Sequence, residues 1–260
     1  MELFYRELGN EGSPNVVILH GLFAASDNLL RLGKYLSGEY RVFMLDLRNH
    51  GSSPHSDIHN YKSMAEDVIE FLDQQNILTT SVIGHSMGGK VAMQLALLSP
   101  ERVSGIIVAD IAPVKYEPGH NDIIRGLDAV AEQTIRTRKE AEEMLSKHVD
   151  DWGVRQFLIK SLKKREHSDG LQWRFNLPSL KNNYENVLAA PSGEPYSSPV
   201  LFIAGENSDY IVPEYRDSTM RLFPKAQLKV IPDTSHWLHA QKPEVFNALC
   251  KRFLSELRSS

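Results

Sequence analysis

The sequence predicts an α/β fold, with a mostly parallel, doubly wound sheet and a helical cap insertion. Short apolar runs without polar alternation are typical of strands that are buried on both faces. Amphipathic helical patterns separate these runs, as in sheets wound by strand–helix units. Between about residues 114 and 195 this alternation stops, and the chain is instead charged and helical in pattern. We therefore expect this stretch to fold over one end of the sheet.

The apolar runs and the helical patterns give the order of the elements. The predicted strands are residues 16–19, 41–45, 81–83, 103–109, 200–204 and 227–231. The helices of the core are expected over residues 61–72, 87–98 and 243–257, and the second of these is apolar almost all round. A chain of 260 residues suits one large α/β domain. We expect a core of residues 1–113 and 196–260, and a cap of three or four helices in residues 114–195.

Composition narrows the classes of function. The net charge is −4, which does not suggest a nucleic-acid partner. A single cysteine cannot form an internal disulfide. The first residues lack the pattern of a signal peptide, and no apolar run approaches the ~18 residues that span a bilayer. These features predict a cytoplasmic protein without a membrane span, and they leave its oligomeric state open.

A candidate nucleophile lies in the segment Gly84-His85-Ser86-Met87-Gly88. This G-x-S-x-G pattern follows a predicted strand and precedes a buried helix, which is the setting of a nucleophile elbow. The glycines flank a turn so tight that side chains there would collide. Ser86 is therefore the predicted nucleophile.

Two backbone N–H groups are candidates for an oxyanion hole. The segment His20-Gly21-Leu22-Phe23 follows the first predicted strand, and the loop at this place supplies one donor in such folds. We expect that donor to be Leu22 and the second to be Met87, directly after the nucleophile. His20 and His85 are interpreted as structural residues that hold these turns by hydrogen bonds.

A serine hydroxyl needs an adjacent base, and His236 is the predicted one. It follows the last predicted strand and precedes the last helix, where the chain order Ser, acid, His places the base. His239 is a local competitor, which we disfavour because it comes later. The remaining histidines lie in predicted loops or cap helices, where we expect solvent exposure: His50, His55, His59, His120, His148 and His167.

The acid that orients the base has two candidates. Asp110 ends the strand at 103–109, and Asp209 follows the strand at 200–204. Both lie between Ser86 and His236 in sequence and at the carboxyl ends of strands, where catalytic groups gather. Neither order nor position distinguishes them, and each could instead be an ordinary turn-capping carboxylate.

These motifs together resemble the α/β-hydrolase superfamily, and more closely its YbfF-type esterases. The resemblance covers nearly the whole chain and is carried by residues 20–23, 46–53, 84–89, 110–113 and 173–176. YbfF-type esterases use the aspartate of D-I-A-P, and Asp209 comes one residue late for the alternative G-x-x-D pattern. The resemblance therefore favours Asp110, with Asp209 in reserve. It also implies a helical cap, activity on acyl esters, acyl-CoA thioesters among them, and neither metal nor organic cofactor.

Four aromatic residues are candidates for the substrate pocket, because such pockets are mostly apolar: Phe23, Trp173, Phe175 and Trp237. A basic cluster in the cap is interpreted as a solvated helix face, with docking of a CoA phosphate as the alternative: Lys160, Lys163, Lys164 and Arg165. Asp46, Arg48 and Gly51 are expected to brace a turn near the pocket.

The sequence thus predicts a serine hydrolase that cleaves small-molecule carboxylic esters or thioesters through an acyl-enzyme on Ser86. Two other functions stay open at this point. One is a carbon–carbon bond hydrolase or lyase with the same residues, since fold does not fix function. The other is a ligand-binding protein of this fold without turnover.

Overall fold

The centre of the molecule is a seven-stranded sheet. The computed structural model describes residues 1–165 and 169–259. Within them, seven strands form the central sheet and two form a separate hairpin, β6 and β7. The strands are β1 (Tyr5–Leu8), β2 (Asn15–Leu19), β3 (Arg41–Leu45), β4 (Thr80–His85), β5 (Val103–Ala109), β6 (Leu162–Lys164), β7 (Leu171–Trp173), β8 (Val200–Gly205) and β9 (Ala226–Ile231).

The strand order of the central sheet is β1-β3-β2-β4-β5-β8-β9. Every neighbouring pair is parallel except β1 with β3, which is antiparallel. The carboxyl ends of β2, β4, β5, β8 and β9 therefore meet at one edge of the sheet. The loops that follow these strands carry the predicted site residues, so the topology gathers them at this edge.

Helices cover both faces of the sheet. The described helices are α1 (Leu30–Leu36), α2 (Tyr61–Gln74), α3 (Met87–Leu98), α4 (Asn121–Ala131), α5 (Arg138–Leu145), α6 (Trp152–Lys160), α7 (Leu177–Asn182), α8 (Tyr184–Leu188), α9 (Arg216–Leu222), α10 (Leu238–Gln241) and α11 (Pro243–Leu257). One core cluster contains the apolar residues of α2 and α3, and a second contains those of α1 and α11. The fold is thus the predicted doubly wound α/β sheet.

Helices α2 and α3 pack on the same face of the sheet, and the sequence explains why they form there. Asn60 caps α2, because its side chain accepts a hydrogen bond from the Ser63 N–H. The apolar stripe of α2 then packs on α3, which lies between α2 and the sheet. Because α3 is enclosed on all sides, almost every one of its residues is buried. This helix begins directly after Ser86 and holds the elbow rigidly.

Helices α4 to α8 and the hairpin β6–β7 lie in the segment that is inserted between the neighbouring strands β5 and β8. This inserted segment has its own apolar cluster, which includes Leu127, Leu145, Leu158 and Trp173. We expected three or four helices and no strand, whereas the described residues form five helices and the short hairpin. Three paired residues on each strand are too few to give a readable alternation.

Strand β9 differs from the expectation of a buried strand. It is one of the two edge strands of the sheet, and four of its six residues are exposed, Leu228 and Val230 among them. Its apolar side chains suggested burial, but an edge position exposes them to solvent. Within residues 1–165 and 169–259, no helix is both long and apolar enough to cross a membrane.

Candidate active site

Ser86 lies at the turn between β4 and α3, in a conformation that non-glycine residues rarely adopt. Its backbone angles are φ 52° and ψ −120°, and strain of this kind costs about 1–3 kcal/mol. A Cβ atom on Gly84 would lie 2.1 Å from the Gly88 carbonyl oxygen, so the turn closes only with glycine at position 84. The Ser86 N–H donates to the Ala109 carbonyl at 2.9 Å and ties the turn to β5.

His236 and Asp110 form a hydrogen bond at this edge of the sheet. The distance from His236 Nδ1 to Asp110 Oδ2 is 2.8 Å, and the Asp110 side chain is fully buried. Because a carboxylate only accepts, the imidazole donates from Nδ1, and Nε2 is the ring nitrogen left to take a proton. The ring of Tyr210 stacks on the imidazole with centroids 4.2 Å apart.

The Asp110 carboxylate is held by groups from the end of β8 and the loop that follows it. Its Oδ1 accepts from the Gly205 N–H at 2.9 Å, and its Oδ2 also accepts from the Ser208 hydroxyl. With His236 Nδ1 these make three donors to the carboxylate, and charge-assisted hydrogen bonds of this kind stabilise a buried carboxylate. Asp209, the alternative acid, is instead exposed at the mouth of a cavity, and the hydrogen bonds of the described residues include none from it to His236.

The loop after β2 lies against the elbow. A Cβ atom on Gly21 would lie 3.1 Å from His85 Nδ1 and 3.4 Å from the Ser86 Cβ, so glycine permits the close approach. Among the hydrogen bonds of the described residues, none takes the Leu22 N–H. The Met87 N–H is the first of α3 and has no partner within the helix. Both donors are therefore free to bind a ligand oxygen.

Two buried imidazoles clamp this loop. His20 Nε2 accepts from the Leu47 N–H at 3.0 Å, so Nδ1 carries the proton and donates to the Gly21 carbonyl at 2.8 Å. That carbonyl belongs to the same peptide group as the Leu22 N–H, whose direction the bond fixes. His50 Nε2 accepts from the Phe23 N–H at 3.2 Å, and Phe23 itself has a φ of 62°.

Of the remaining histidines that the structure describes, only His55 is exposed as expected, since His120 and His148 are half-buried and the other two are buried. His50 and His59 are both fully buried, because the inserted segment covers the turn that carries them. Burial lowers the pKa of His50 well below its ordinary value, and it lowers that of His59 to about 4. Both rings are therefore neutral near pH 7. His167 lies outside the described residues.

His85 anchors the backbone of His236, the candidate base. Its Nε2 donates to the backbone carbonyl of His236 at 2.8 Å, and burial lowers its pKa well below the ordinary value. His239, the competitor for the base, is half-buried and packs against His85 with ring centroids 4.4 Å apart. Burial lowers its pKa to about 4. His239 does not line the cavities described next.

Two cavities open beside Ser86 and His236, and both residues line both of them. The larger has a volume of about 400 Å³, and polar and charged side chains contribute to it, including Lys90, Asn207 and Asp209. The smaller has a volume of about 240 Å³ and is mostly apolar, lined by side chains of the inserted segment such as Val154, Phe157 and Leu158. The inserted segment therefore shapes the space available to a ligand.

The four predicted pocket aromatics separate into two pairs. Phe23 and Trp237 line the smaller cavity. Trp173 and Phe175 line neither cavity, and we correct their assignment. They stack on each other with centroids 5.3 Å apart inside the apolar cluster of the inserted segment, where the Trp173 indole donates to the Leu127 carbonyl at 3.0 Å. Aromatic residues at such spacing fit a core as well as a pocket, so sequence alone did not separate the two.

The basic cluster of the inserted segment does not border the two cavities beside Ser86. None of Lys160, Lys163, Lys164 and Arg165 lines either cavity. Lys160 instead borders a surface depression with Arg138 and Asp27. In the part of the chain that the structure describes, no group of three or more His, Cys, Asp or Glu residues is placed to hold a metal ion.

Several cavity residues escaped the sequence analysis, Lys90, Tyr210 and Ser208 among them. Lys90 is buried on α3, Tyr210 stacks on His236, and Ser208 donates to Asp110. A lysine within an otherwise apolar helix was a readable signal for the first of them. The other two depend on how the loop after β8 folds, which has no periodic pattern.

Two charged side chains hold the turn after β3, which we expected to be structural. Asp46 accepts hydrogen bonds from the Ser26 and Ser52 N–H groups, at 2.7 and 2.8 Å. Arg48 forms two hydrogen bonds to Asp67 of α2, at 2.6 and 2.8 Å. A Cβ atom on Gly51 would lie 2.0 Å from the Asp46 carboxylate. These contacts fix the turn from which His50 reaches the oxyanion loop.

Comparison with known proteins agrees with this architecture. The family described as "Alpha/beta hydrolase family" matches residues 16–249. Esterase YbfF of Escherichia coli K12 is 38% identical over 248 residues, which cover 95% of each chain. The sn-1-specific diacylglycerol lipase ABHD11 of Mus musculus is 38% identical over 257 residues, which cover 95% of this chain and 83% of that one.

A solved structure is similar over the same length. A marine microorganism esterase superposes with a TM-score of 0.92 at 40% identity, covering 97% of this chain and 99% of its own. The resemblance on which the sequence analysis rested is thereby confirmed. The chain belongs to the alpha/beta hydrolase family.

Proposed function

We propose that this protein is a serine hydrolase that cleaves carboxylic esters through an acyl-enzyme on Ser86. The observation that carries the proposal is the 2.8 Å bond between His236 and buried Asp110, at cavities that Ser86 also lines. Relatives of similar length are named esterase and diacylglycerol lipase, which supports the same chemistry. A hydroxyl, an imidazole and a carboxylate in this order form the set that acyl transfer needs.

In the proposed reaction, the Ser86 hydroxyl attacks the ester carbonyl while His236 Nε2 takes its proton. The Leu22 and Met87 N–H groups bind the oxyanion, and one donor of this kind lowers the barrier by about 3 kcal/mol. Protonated His236 gives its proton to the leaving alcohol, and the acyl group stays on Ser86. A water then attacks this acyl-enzyme, with His236 again as the base, and free acid leaves.

Asp110 keeps His236 in the tautomer that this sequence of steps needs. Its carboxylate accepts the Nδ1 proton and stabilises the imidazolium that forms at each proton transfer. Stacked Tyr210 and the His85 bond to the backbone of His236 hold the ring in place. The base is therefore preorganised from three sides.

Oxygen esters fit the surroundings of the site better than CoA thioesters. CoA carries several phosphate charges, and a phosphate is bound by clustered Arg and Lys side chains. The basic cluster of the inserted segment borders neither cavity. The exposed charged residues that line the larger cavity are the acids Glu117, Asp151 and Asp209. We therefore propose an uncharged alcohol as the leaving group.

The test is substitution of the nucleophile. Ser86→Ala removes the attacking oxygen and is expected to lower kcat on 4-nitrophenyl butyrate by roughly 10⁶-fold, as loss of a serine nucleophile does elsewhere. Circular dichroism and the melting temperature check that the fold is kept. Labelling by a fluorophosphonate, followed by peptide mapping, is expected to mark Ser86 in the wild type alone. Ester hydrolysis that survives in folded Ser86→Ala protein contradicts the proposal.

Turnover by the wild type also distinguishes the esterase from the two other functions that the sequence left open. A carbon–carbon bond hydrolase turns over vinylogous diketones faster than aryl esters. A binding protein without turnover gives at most a stoichiometric burst of nitrophenol. Steady release of nitrophenol from the wild type, with no turnover of the diketone, supports the esterase.

A further inference from the structure

A buried ammonium group lines the larger cavity beside Ser86. Lys90 lies one helical turn after Ser86 on α3, about 6 Å along the helix axis. Only 1% of Lys90 is exposed. Lysine is almost never buried to this degree without a partner. Burial also lowers the pKa of its ammonium to about 7, which is the direction expected where desolvation is not offset by a nearby carboxylate.

The contacts of Lys90 satisfy only part of this group. Its Nζ donates to the carbonyls of Leu188 and Ala189, at 3.0 and 2.6 Å. It also lies over the rings of Tyr116 and Tyr61, at 4.7 and 5.4 Å from their centroids. An ammonium has three donors, so one remains after the two carbonyls. Within the described residues, no ion pair joins Lys90 to a carboxylate.

The positive and negative side chains of the larger cavity lie at different depths. Lys90 is buried, whereas Glu117, Asp151 and Asp209 line the same cavity from exposed positions. Water and salt weaken the effect of exposed charges, while a buried charge acts through a lower dielectric. An anionic group is therefore favoured at the buried end of the cavity and disfavoured at its mouth.

We propose that the substrate is a half-ester of a short dicarboxylic acid, and that Lys90 binds its free carboxylate. The proposal rests on the proposed function, since the acyl group held on Ser86 is the part that reaches Lys90. One helical turn separates Ser86 from Lys90, so the free carboxylate of the substrate is expected only a few bonds from its ester carbonyl. The alcohol leaves through the acidic mouth and is uncharged. Lys90 is a specificity residue and takes no part in proton transfer.

The experiment compares two ethyl esters that differ in one charge. Monoethyl adipate carries the carboxylate, and ethyl 6-methylheptanoate replaces it with an isopropyl group of similar shape. We define the charge preference as the ratio of their kcat/KM values, measured by ethanol release. The wild type is expected to favour the charged ester, and Lys90→Met to lower the charge preference by roughly tenfold to a hundredfold, as loss of a charged hydrogen bond does. Lys90→Arg is expected to retain part of it.

The charge preference distinguishes lost recognition of the carboxylate from a general loss of activity caused by a disturbed fold. Loss of the bonds to Leu188 and Ala189 lowers both rates together and leaves the charge preference unchanged. Lys115→Met is the matched control, because Lys115 is exposed, paired with Glu185 at 3.8 Å, and absent from the lining of both cavities. Its charge preference is expected to equal that of the wild type.

Two results overturn the inference. One is a wild type that favours the neutral ester, or that leaves monoethyl adipate intact while it hydrolyses 4-nitrophenyl butyrate. The other is an equal charge preference in the wild type and Lys90→Met. Failure on 4-nitrophenyl butyrate as well contradicts the proposed function itself, so the two failures are distinguishable.

Discussion

Single residues around the site act mainly on backbone groups. His20 orients the peptide that carries the Leu22 N–H, His50 binds the next N–H, and His85 holds the backbone of His236. The sequence predicted Ser86 and His236 because a strand–turn–helix motif and chain order single them out. Position alone left the acid open, because Asp110 and Asp209 both follow strands of the same sheet, and only the family resemblance favoured Asp110. The difference between them is a contact across loops, and no local pattern encodes it.

The two candidate acids give a prediction at this scale. Asp110→Asn leaves an amide that can present its NH₂ to Nδ1 and favour the wrong tautomer of His236. We expect kcat on 4-nitrophenyl butyrate to fall by roughly 10³–10⁴-fold. Asp209→Asn, the matched control, removes an exposed charge and should lower kcat far less. Steady-state kinetics at pH 8 measures both. A larger loss of kcat in Asp209→Asn would assign the acid to the loop after β8.

Among the elements, those with continuous apolar patterns were predictable and those defined by their neighbours were not. The strands β2 to β5 and β8, and the helices α2, α3 and α11, match the predicted segments to within a few residues. Strand β9 has the composition of a buried strand, but its edge position exposes it. The hairpin β6–β7 depends on packing against the helices of the inserted segment, which is a tertiary effect.

The link between the turn after β3 and helix α2 gives a prediction at the scale of elements. Arg48 and Asp67 are buried and joined by two hydrogen bonds, and Arg48 also donates to the Ile58 and Ser63 carbonyls. Arg48→Met leaves the Asp67 carboxylate buried with less compensation. We expect the free energy of unfolding to fall by about 3–5 kcal/mol in urea denaturation.

A double variant provides the control for this link. Arg48→Met with Asp67→Leu removes both charges and should recover part of the lost stability, because no buried charge is left unpaired. Full additivity of the two single losses would show that the ion pair has no energetic coupling. The link supports the turn that carries His50, so its loss is expected to affect the oxyanion loop only through folding.

At the scale of the whole molecule, several neutral imidazoles lie around the site. His20, His50, His59 and His85 are buried and His239 is half-buried, and burial lowers the pKa of each. The unfolded chain exposes the same rings, which then regain the ordinary pKa of 6.5. The folded state is therefore coupled to pH through groups that lie around the site rather than in it.

This coupling predicts a loss of stability in mild acid. The folded pKa of these rings is depressed, so below pH 6.5 the unfolded state binds protons that the folded state does not, and stability falls as pH falls. For His59 the loss extends from pH 6.5 down to its folded pKa of about 4 and amounts to about 2 kcal/mol by pH 5. His59→Leu removes this titration, and the slope of unfolding free energy against pH should become shallower by about 1.4 kcal/mol per unit. Urea denaturation of both proteins between pH 7.5 and 5 measures the two slopes. Parallel slopes would mean that His59 is protonated in the folded state, or that the unfolded chain also shields it.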